Sequence, residues 1–166
     1  MIRRRVFISY KFSGLAISEI HHLVDPIYEA LKSLNCEVYC NLYDSLMYEI
    51  CTSDIMKLCL SNINSGDIFL LVAKNKSLEE NFAQSLDQTP NNSSNNSPLQ
   101  NFGQGSMIEL GWALAKNCTI LGHIQEGAQY DLNKKLVTPL TLCTQINIFQ
   151  EIGDTASLVN MVKAYL

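Results

Sequence analysis

The sequence lacks any apolar run near the roughly 20 residues that span a bilayer, which argues against an integral membrane protein. Charged residues are scarce, at 17% of the 166 positions, and their balance gives a net charge of −4. That charge offers no broad attraction for a nucleic-acid polymer. Apolar residues make up 47% of the chain, which excludes a disordered protein. We therefore predict one soluble domain over residues 1–166.

The sequence also has no CxxC pair, Walker loop, HExxH, GxSxG or internal repeat. Its six cysteines are interpreted as mostly buried, free thiols of a reducing compartment. No apolar leader precedes the polar residues at Tyr10, so we predict a cytoplasmic protein. The alternative for the cysteines is a zinc site from Cys36, Cys40 and His123, but nothing in the sequence requires it. We predict neither a metal nor a cofactor.

Strand-like and helix-like segments alternate along the chain. The predicted strands are 4–10, 36–41, 68–73, 118–124 and one within 137–149, and the predicted helices are 18–34, 46–63, 106–116 and 155–166. Segment 68–73 is apolar at every position, as in a parallel strand covered on both faces. We predict an α/β fold with an open, mostly parallel five-stranded sheet and helices on both faces. The polar composition near 85–101 predicts a flexible loop within this domain.

The carboxyl ends of the strands are the expected ligand-binding edge of such a sheet. This rule gathers Ser9 and Tyr10, Asn41–Asp44, Lys74–Ser77 and Gly103–Glu109 around one crevice. We expect the polar atoms of Ser9 and Tyr10 to bind a sugar or a phosphate, and Asp44 to bind ribose hydroxyls. The alternative is that these residues are ordinary polar strand ends and turns.

The segment Gly103–Ala113 is the most informative run in the chain. Its first two glycines precede a predicted helix, where backbone can approach a ligand closely and the helix N-terminus favours negative charge. Glu109 lies about one turn into that helix among apolar neighbours, so its carboxylate is expected to be partly desolvated. The alternative is a first-turn Glu that complements the helix dipole, or a capping box from Ser106 to Glu109.

The same segment resembles the nucleoside 2-deoxyribosyltransferase family and its nucleotide N-glycosidase relatives, which carry Gly-x-x-x-Glu-Leu-Gly-x-Ala. The matching residues, in order, are Gly105, Glu109, Leu110, Gly111 and Ala113. The resemblance implies a flavodoxin-like or Rossmann-like three-layer sandwich, a nucleoside or nucleotide substrate, and a homo-oligomer. It also implies cleavage or transfer at an N-glycosidic bond without a cofactor.

The resemblance implies a role for individual residues as well. Glu109 is the implied nucleophile on the anomeric carbon, where it forms a glycosyl ester that water or another base resolves. Asp67 is the implied supporting carboxyl group, although it also suits a turn in which it accepts hydrogen bonds from backbone amides. The predicted substrate-binding residues are Phe7, Ser9, Tyr10, Asp44, Gly103, Gly105, Ser106 and Met107.

The residue at position 103 departs from the family pattern. Many deoxyribosyltransferases have an Asp six residues before the nucleophile, where this chain has Gly103, which argues against base transfer more than against bond cleavage.

A second resemblance leaves another interpretation open. The opening Val6–Tyr10, followed by Val38-Tyr39 and Asp44, resembles a TIR domain. That resemblance implies an NAD hydrolase that also uses Glu109, or a non-catalytic nucleotide-sensing or interaction module.

Overall fold

The computed structural model describes residues 5–10, 12, 15–44, 52–73, 104–124, 146–150 and 155–166. Within these residues the strands are β1 (Arg5–Tyr10), β2 (Glu37–Cys40), β3 (Ile68–Ala73), β4 (Thr119–Ile124) and β5 (Ile146–Gln150). The helices are α1 (Ile17–Ser33), α2 (Asn41–Asp44), α3 (Thr52–Ser61), α4 (Gln104–Ala115) and α5 (Thr155–Lys163). The predicted loop at 85–101 lies outside the described residues, so the single domain and its loop stay predictions.

The strands form one sheet in the order β2-β1-β3-β4-β5, and every neighbouring pair is parallel. The predicted α/β fold with a mostly parallel sheet is confirmed. This order is that of flavodoxin-like folds, in which the connections change direction between β1 and β3. The registers place Ser9 opposite Leu71 of β3 and Phe7 opposite Tyr39 of β2. A crevice is expected where the carboxyl ends of β1 and β3 part.

Helices cover both faces of the sheet, because alternate residues of the strands face opposite sides. On one face, Val6, Ile8 and Tyr10 pack with the apolar residues of α1 and α5. On the other face, Phe7, Phe69 and Ile120 pack with the apolar residues of α3 and α4. Strand β3 contributes to both clusters, which explains why its sequence is apolar at every position.

The ends of α4 determine where Glu109 lies. The helix ends in a Schellman motif, in which Asn117 has φ 56° and the Cys118 N–H donates to the Ala113 carbonyl at 3.0 Å. Asn117 therefore caps the C-terminus of α4. The helix begins at Gln104 rather than at Ser106. Gly105 and Ser106 thus belong to its first turn, and the predicted helix start is wrong by two residues.

No helix among the described residues is both long enough and apolar enough to cross a membrane. The described cysteines Cys36, Cys40, Cys59 and Cys118 are all buried free thiols. Within the same part of the chain, no three or more His, Cys, Asp or Glu side chains come together as a metal site would need.

Candidate functional site

Glu109 and Ser9 meet at the carboxyl end of β1, although 100 residues separate them in sequence. The Ser9 hydroxyl donates a hydrogen bond to Glu109 Oε2 at 2.6 Å. Both residues are buried, with exposed fractions of 1% for Ser9 and 8% for Glu109. The bond is as short as those that hydroxyl groups make to carboxylates. The structure therefore brings together two of the predicted site residues, at the edge where the fold predicts a crevice.

The environment of Glu109 is less favourable to its charged form than water is. Burial raises the pKa of Glu109, and hydrogen bonds from the side chains of Ser9 and Cys59 offset part of that rise. No Lys, Arg or His among the described residues forms an ion pair with it. A buried carboxyl group without a cation costs free energy in the folded state, and such groups concentrate at functional sites.

Cys59 is a site residue that sequence reasoning missed. It lies on α3, is 2% exposed, and shares a hydrogen bond with Glu109. Burial and the neighbouring Glu109 raise the pKa of the Cys59 thiol, so the thiol stays protonated and is the donor. The only signal in the sequence is that Cys59 lies on the apolar face of a predicted helix, which is equally typical of a core thiol.

Two predictions concern the first turn of α4: a capping box from Ser106 to Glu109, and close approach of the Gly105 backbone to a ligand. Ser106 is the third residue of the helix and its hydroxyl has no hydrogen-bond partner among the described residues, while Glu109 bonds Ser9. The capping-box alternative is therefore wrong. A Cβ on Gly105 would lie 3.1 Å from Met56 Cε of α3, so this glycine serves the close packing of two helices. Its role in backbone approach to a ligand stays a prediction.

Asp67 lies at the amino end of β3, whereas Ser9 lies near the carboxyl end of β1. Its Oδ2 atom accepts hydrogen bonds from the Asn64 N–H at 2.8 Å and from the Arg5 guanidinium at 3.1 Å. The residue of β3 opposite Ser9 is Leu71, and Asp67 lies four residues before Leu71 in the chain. Asp67 is therefore roughly 13 Å along the strand from the level of Ser9. The described contacts do not bring Asp67 to Glu109, and its supporting role stays a prediction. The turn interpretation, in which Asp67 accepts from a backbone amide, is the one that the contacts favour.

The remaining predicted residues have different positions. Phe7 is 1% exposed and its ring stacks on Tyr39 and Phe69, at centroid distances of 5.0 and 5.6 Å. It is therefore a core residue, and its contact with a substrate stays a prediction. The ring of Tyr10 packs on the α1 side of the sheet. Asp44 is the last residue of α2, the short helix that directly follows β2. Its side chain accepts a hydrogen bond from the Cys40 N–H at 2.7 Å.

Three further predictions have a simpler outcome. Met107 is partly buried against the cluster that contains Leu110 of α4. Gly103 and the segment Lys74–Ser77 lie outside the described residues. Ser106 is 3% exposed, in the same helical turn as Glu109. The candidate site thus consists of Ser9, Cys59, Ser106 and Glu109. Asp44 lies just beyond the carboxyl end of β2, the strand next to β1.

Comparisons with known proteins place this site in a known fold. No protein-family model and no characterised protein sequence matches the chain. Among solved structures, the chain is similar to the CMP N-glycosidase BcmB of Clostridium botulinum, with a TM-score of 0.55 and 16% sequence identity. The similarity covers 98% of this chain and 100% of BcmB. At this identity, the match supports the fold alone.

Proposed function

We propose that this protein is an N-glycosidase that hydrolyses the bond between base and pentose in a nucleoside monophosphate, with Glu109 as the nucleophile. The observation that carries the proposal is the buried Glu109 carboxyl group, which is bonded to Ser9 and paired with no described cation. The motif around Glu109 and the similarity to a CMP N-glycosidase both support it.

A carboxylate suits this reaction because the anomeric carbon gains positive character as the base leaves. One oxygen of Glu109 forms a bond to C1′ while the C1′–N bond breaks, and the base departs with the bonding electrons and takes a proton from water. A second water then adds at C1′ while the bond between C1′ and the Glu109 oxygen breaks, which restores the carboxylate. The proton that this water loses neutralises the hydroxide left when the base was protonated. The products are the free base and the pentose phosphate.

Ser9 has a defined part in this mechanism. Its hydroxyl holds Glu109 Oε2, so the carboxyl group cannot rotate freely and Oε1 is the oxygen that attacks. The hydrogen bond also stabilises the carboxylate that the first step consumes and the second step restores.

The first turn of α4 is the proposed phosphate site. The first N–H groups of a helix have no partner inside it, and the helix dipole favours an anion there. The buried Ser106 hydroxyl is a further donor without a described partner. Both features favour a nucleotide over a nucleoside. No described feature favours the TIR-like alternative over this proposal.

The test is product analysis with wild type and Glu109→Gln. Each is incubated with CMP, dCMP, cytidine and NAD, and free base and nicotinamide are separated by chromatography. We expect wild type to release base from a monophosphate and Glu109→Gln to lose at least about 1000-fold in kcat, because the amide is a poor nucleophile. The control is Glu29→Gln, an exposed carboxyl on α1, which should keep full activity.

The other outcomes are decisive as well. Release of nicotinamide from NAD alone selects the TIR-like alternative. No release from any of the four compounds by the wild type contradicts the proposal, and so does a Glu109→Gln variant that is as active as the wild type.

A further inference from the structure

The side chain of Tyr39 lies on the same face of the sheet as Ser9 and Glu109. Tyr39 is opposite Phe7 in the register of β1 and β2, and Phe7 precedes Ser9 by two residues. Its ring stacks on that of Phe7 at 5.0 Å and 20°, and Phe7 stacks in turn on Phe69. Three neighbouring strands thus hold the ring of Tyr39 in place, and the residue is 7% exposed.

The hydroxyl of Tyr39 has no role in this packing. It is buried and has no hydrogen-bond partner among the described residues. A buried hydroxyl without a partner costs free energy in the folded state, whereas a phenylalanine would make the same ring stack without that cost. The hydroxyl therefore calls for a partner that the folded chain does not supply.

The groups around the hydroxyl indicate which partner it suits. Burial raises the pKa of Tyr39, and the nearby Cys59, Asp44 and Glu109 raise it further, so the hydroxyl remains a neutral donor. Two of these neighbours, Asp44 and Glu109, are carboxyl groups, and none of the described Lys, Arg or His residues pairs with either of them. The surroundings therefore disfavour a phosphate and suit an uncharged acceptor, such as the hydroxyl oxygen of a pentose.

We propose that Tyr39 is a specificity-determining residue whose hydroxyl donates a hydrogen bond to a pentose hydroxyl of the substrate, beside Glu109. This inference rests on the proposed function and adds to it. It assigns the pentose to the carboxyl ends of β1 and β2, where Asp44 supplies an acceptor, and the phosphate to the first turn of α4.

The experiment compares Tyr39→Phe with wild type by two independent measurements. Thermal unfolding without ligand should give an equal or higher Tm for the variant, because only an unpartnered hydroxyl is lost. The kcat/KM for the monophosphate that wild type cleaves best should fall about tenfold or more. The matched control is Tyr28→Phe, which removes a hydroxyl on α1 at the other face of the sheet and should change neither value.

Binding is measured separately from turnover. Glu109→Gln and the double variant Glu109→Gln/Tyr39→Phe are titrated with the same monophosphate by calorimetry, and we expect the Kd to rise about tenfold in the double variant. A Tm several degrees lower in Tyr39→Phe would overturn the inference, since the hydroxyl then has a structural partner. An unchanged kcat/KM and Kd would overturn it too. A wild type without activity on any nucleotide identifies failure of the proposed function instead, and this inference fails with it.

Discussion

Single residues of the site differ in how far the sequence reveals them. Glu109 is found from its neighbours in sequence, because a motif and a run of apolar residues surround it. Its partners are not found in this way. Ser9 lies 100 positions away, and Cys59 and Tyr39 are ordinary core residues in the patterns of their own elements. Their part in the site depends on which strands and helices meet, and only the fold brings them together.

The proposed mechanism predicts that the contact between Ser9 and Glu109 influences the pH dependence of activity. Replacing Ser9 with Ala removes a donor that favours the carboxylate, so the pKa of Glu109 rises further than burial already raises it. Because the proposed nucleophile is the ionised form of Glu109, we expect the acid limb of the kcat/KM profile to move to higher pH and activity near neutral pH to fall about tenfold.

The measurement is kcat/KM against pH for wild type, Ser9→Ala and Ser9→Cys, in which the thiol keeps a weak donor. The limb for Ser9→Cys should lie between those of the other two. Carbon NMR of the Glu109 carboxyl group follows the same titration without substrate. An acid limb at the same pH in all three proteins argues against a direct role of this hydrogen bond.

At the scale of elements, the boundary that the sequence misplaces is the start of α4. Glycine predicts a loop, but Gly105 lies inside the helix, and a Cβ there would lie 3.1 Å from Met56 Cε of α3. This interhelical contact favours glycine at the position, and no pattern within residues 103–116 contains it. The end of the same helix is predicted well, because Asn117 adopts a left-handed conformation that is a local property of its type.

The two glycines of α4 give a paired prediction on stability. A Cβ at Gly111 meets nothing within 4 Å, so Gly111→Ala should stabilise the protein by about 0.5–1 kcal/mol through helix propensity alone. Gly105→Ala gains the same propensity but must displace Met56 Cε, 3.1 Å away, so its net gain should be smaller. Urea unfolding measures both. A larger gain at Gly105 than at Gly111 contradicts the close packing of α3 and α4.

For the whole molecule, the sheet is predictable because its rules act on simple patterns. Alternation of strands and helices leads to a parallel sheet, and the apolar run 68–73 marks its centre. In a parallel sheet, a residue before a strand and a residue at the end of a strand lie at opposite ends of the sheet. Asp67 precedes β3 and Ser9 lies near the end of β1, so the two belong to opposite edges although both flank apolar runs.

We predict that residues at the amino ends of the strands stabilise the fold, whereas residues at the carboxyl ends carry out the proposed reaction. Asp67→Asn leaves Arg5 without the carboxylate that it contacts at 3.1 Å, and both side chains are largely buried. We expect a loss of about 3 kcal/mol in the free energy of unfolding, measured by urea denaturation. The kcat/KM, measured at a temperature where the variant is folded, should stay within about twofold of the wild type, because Asp67 lies roughly 13 Å along the strand from the level of Ser9. A variant with normal stability and strongly reduced kcat would instead return Asp67 to the supporting role that the family resemblance implies.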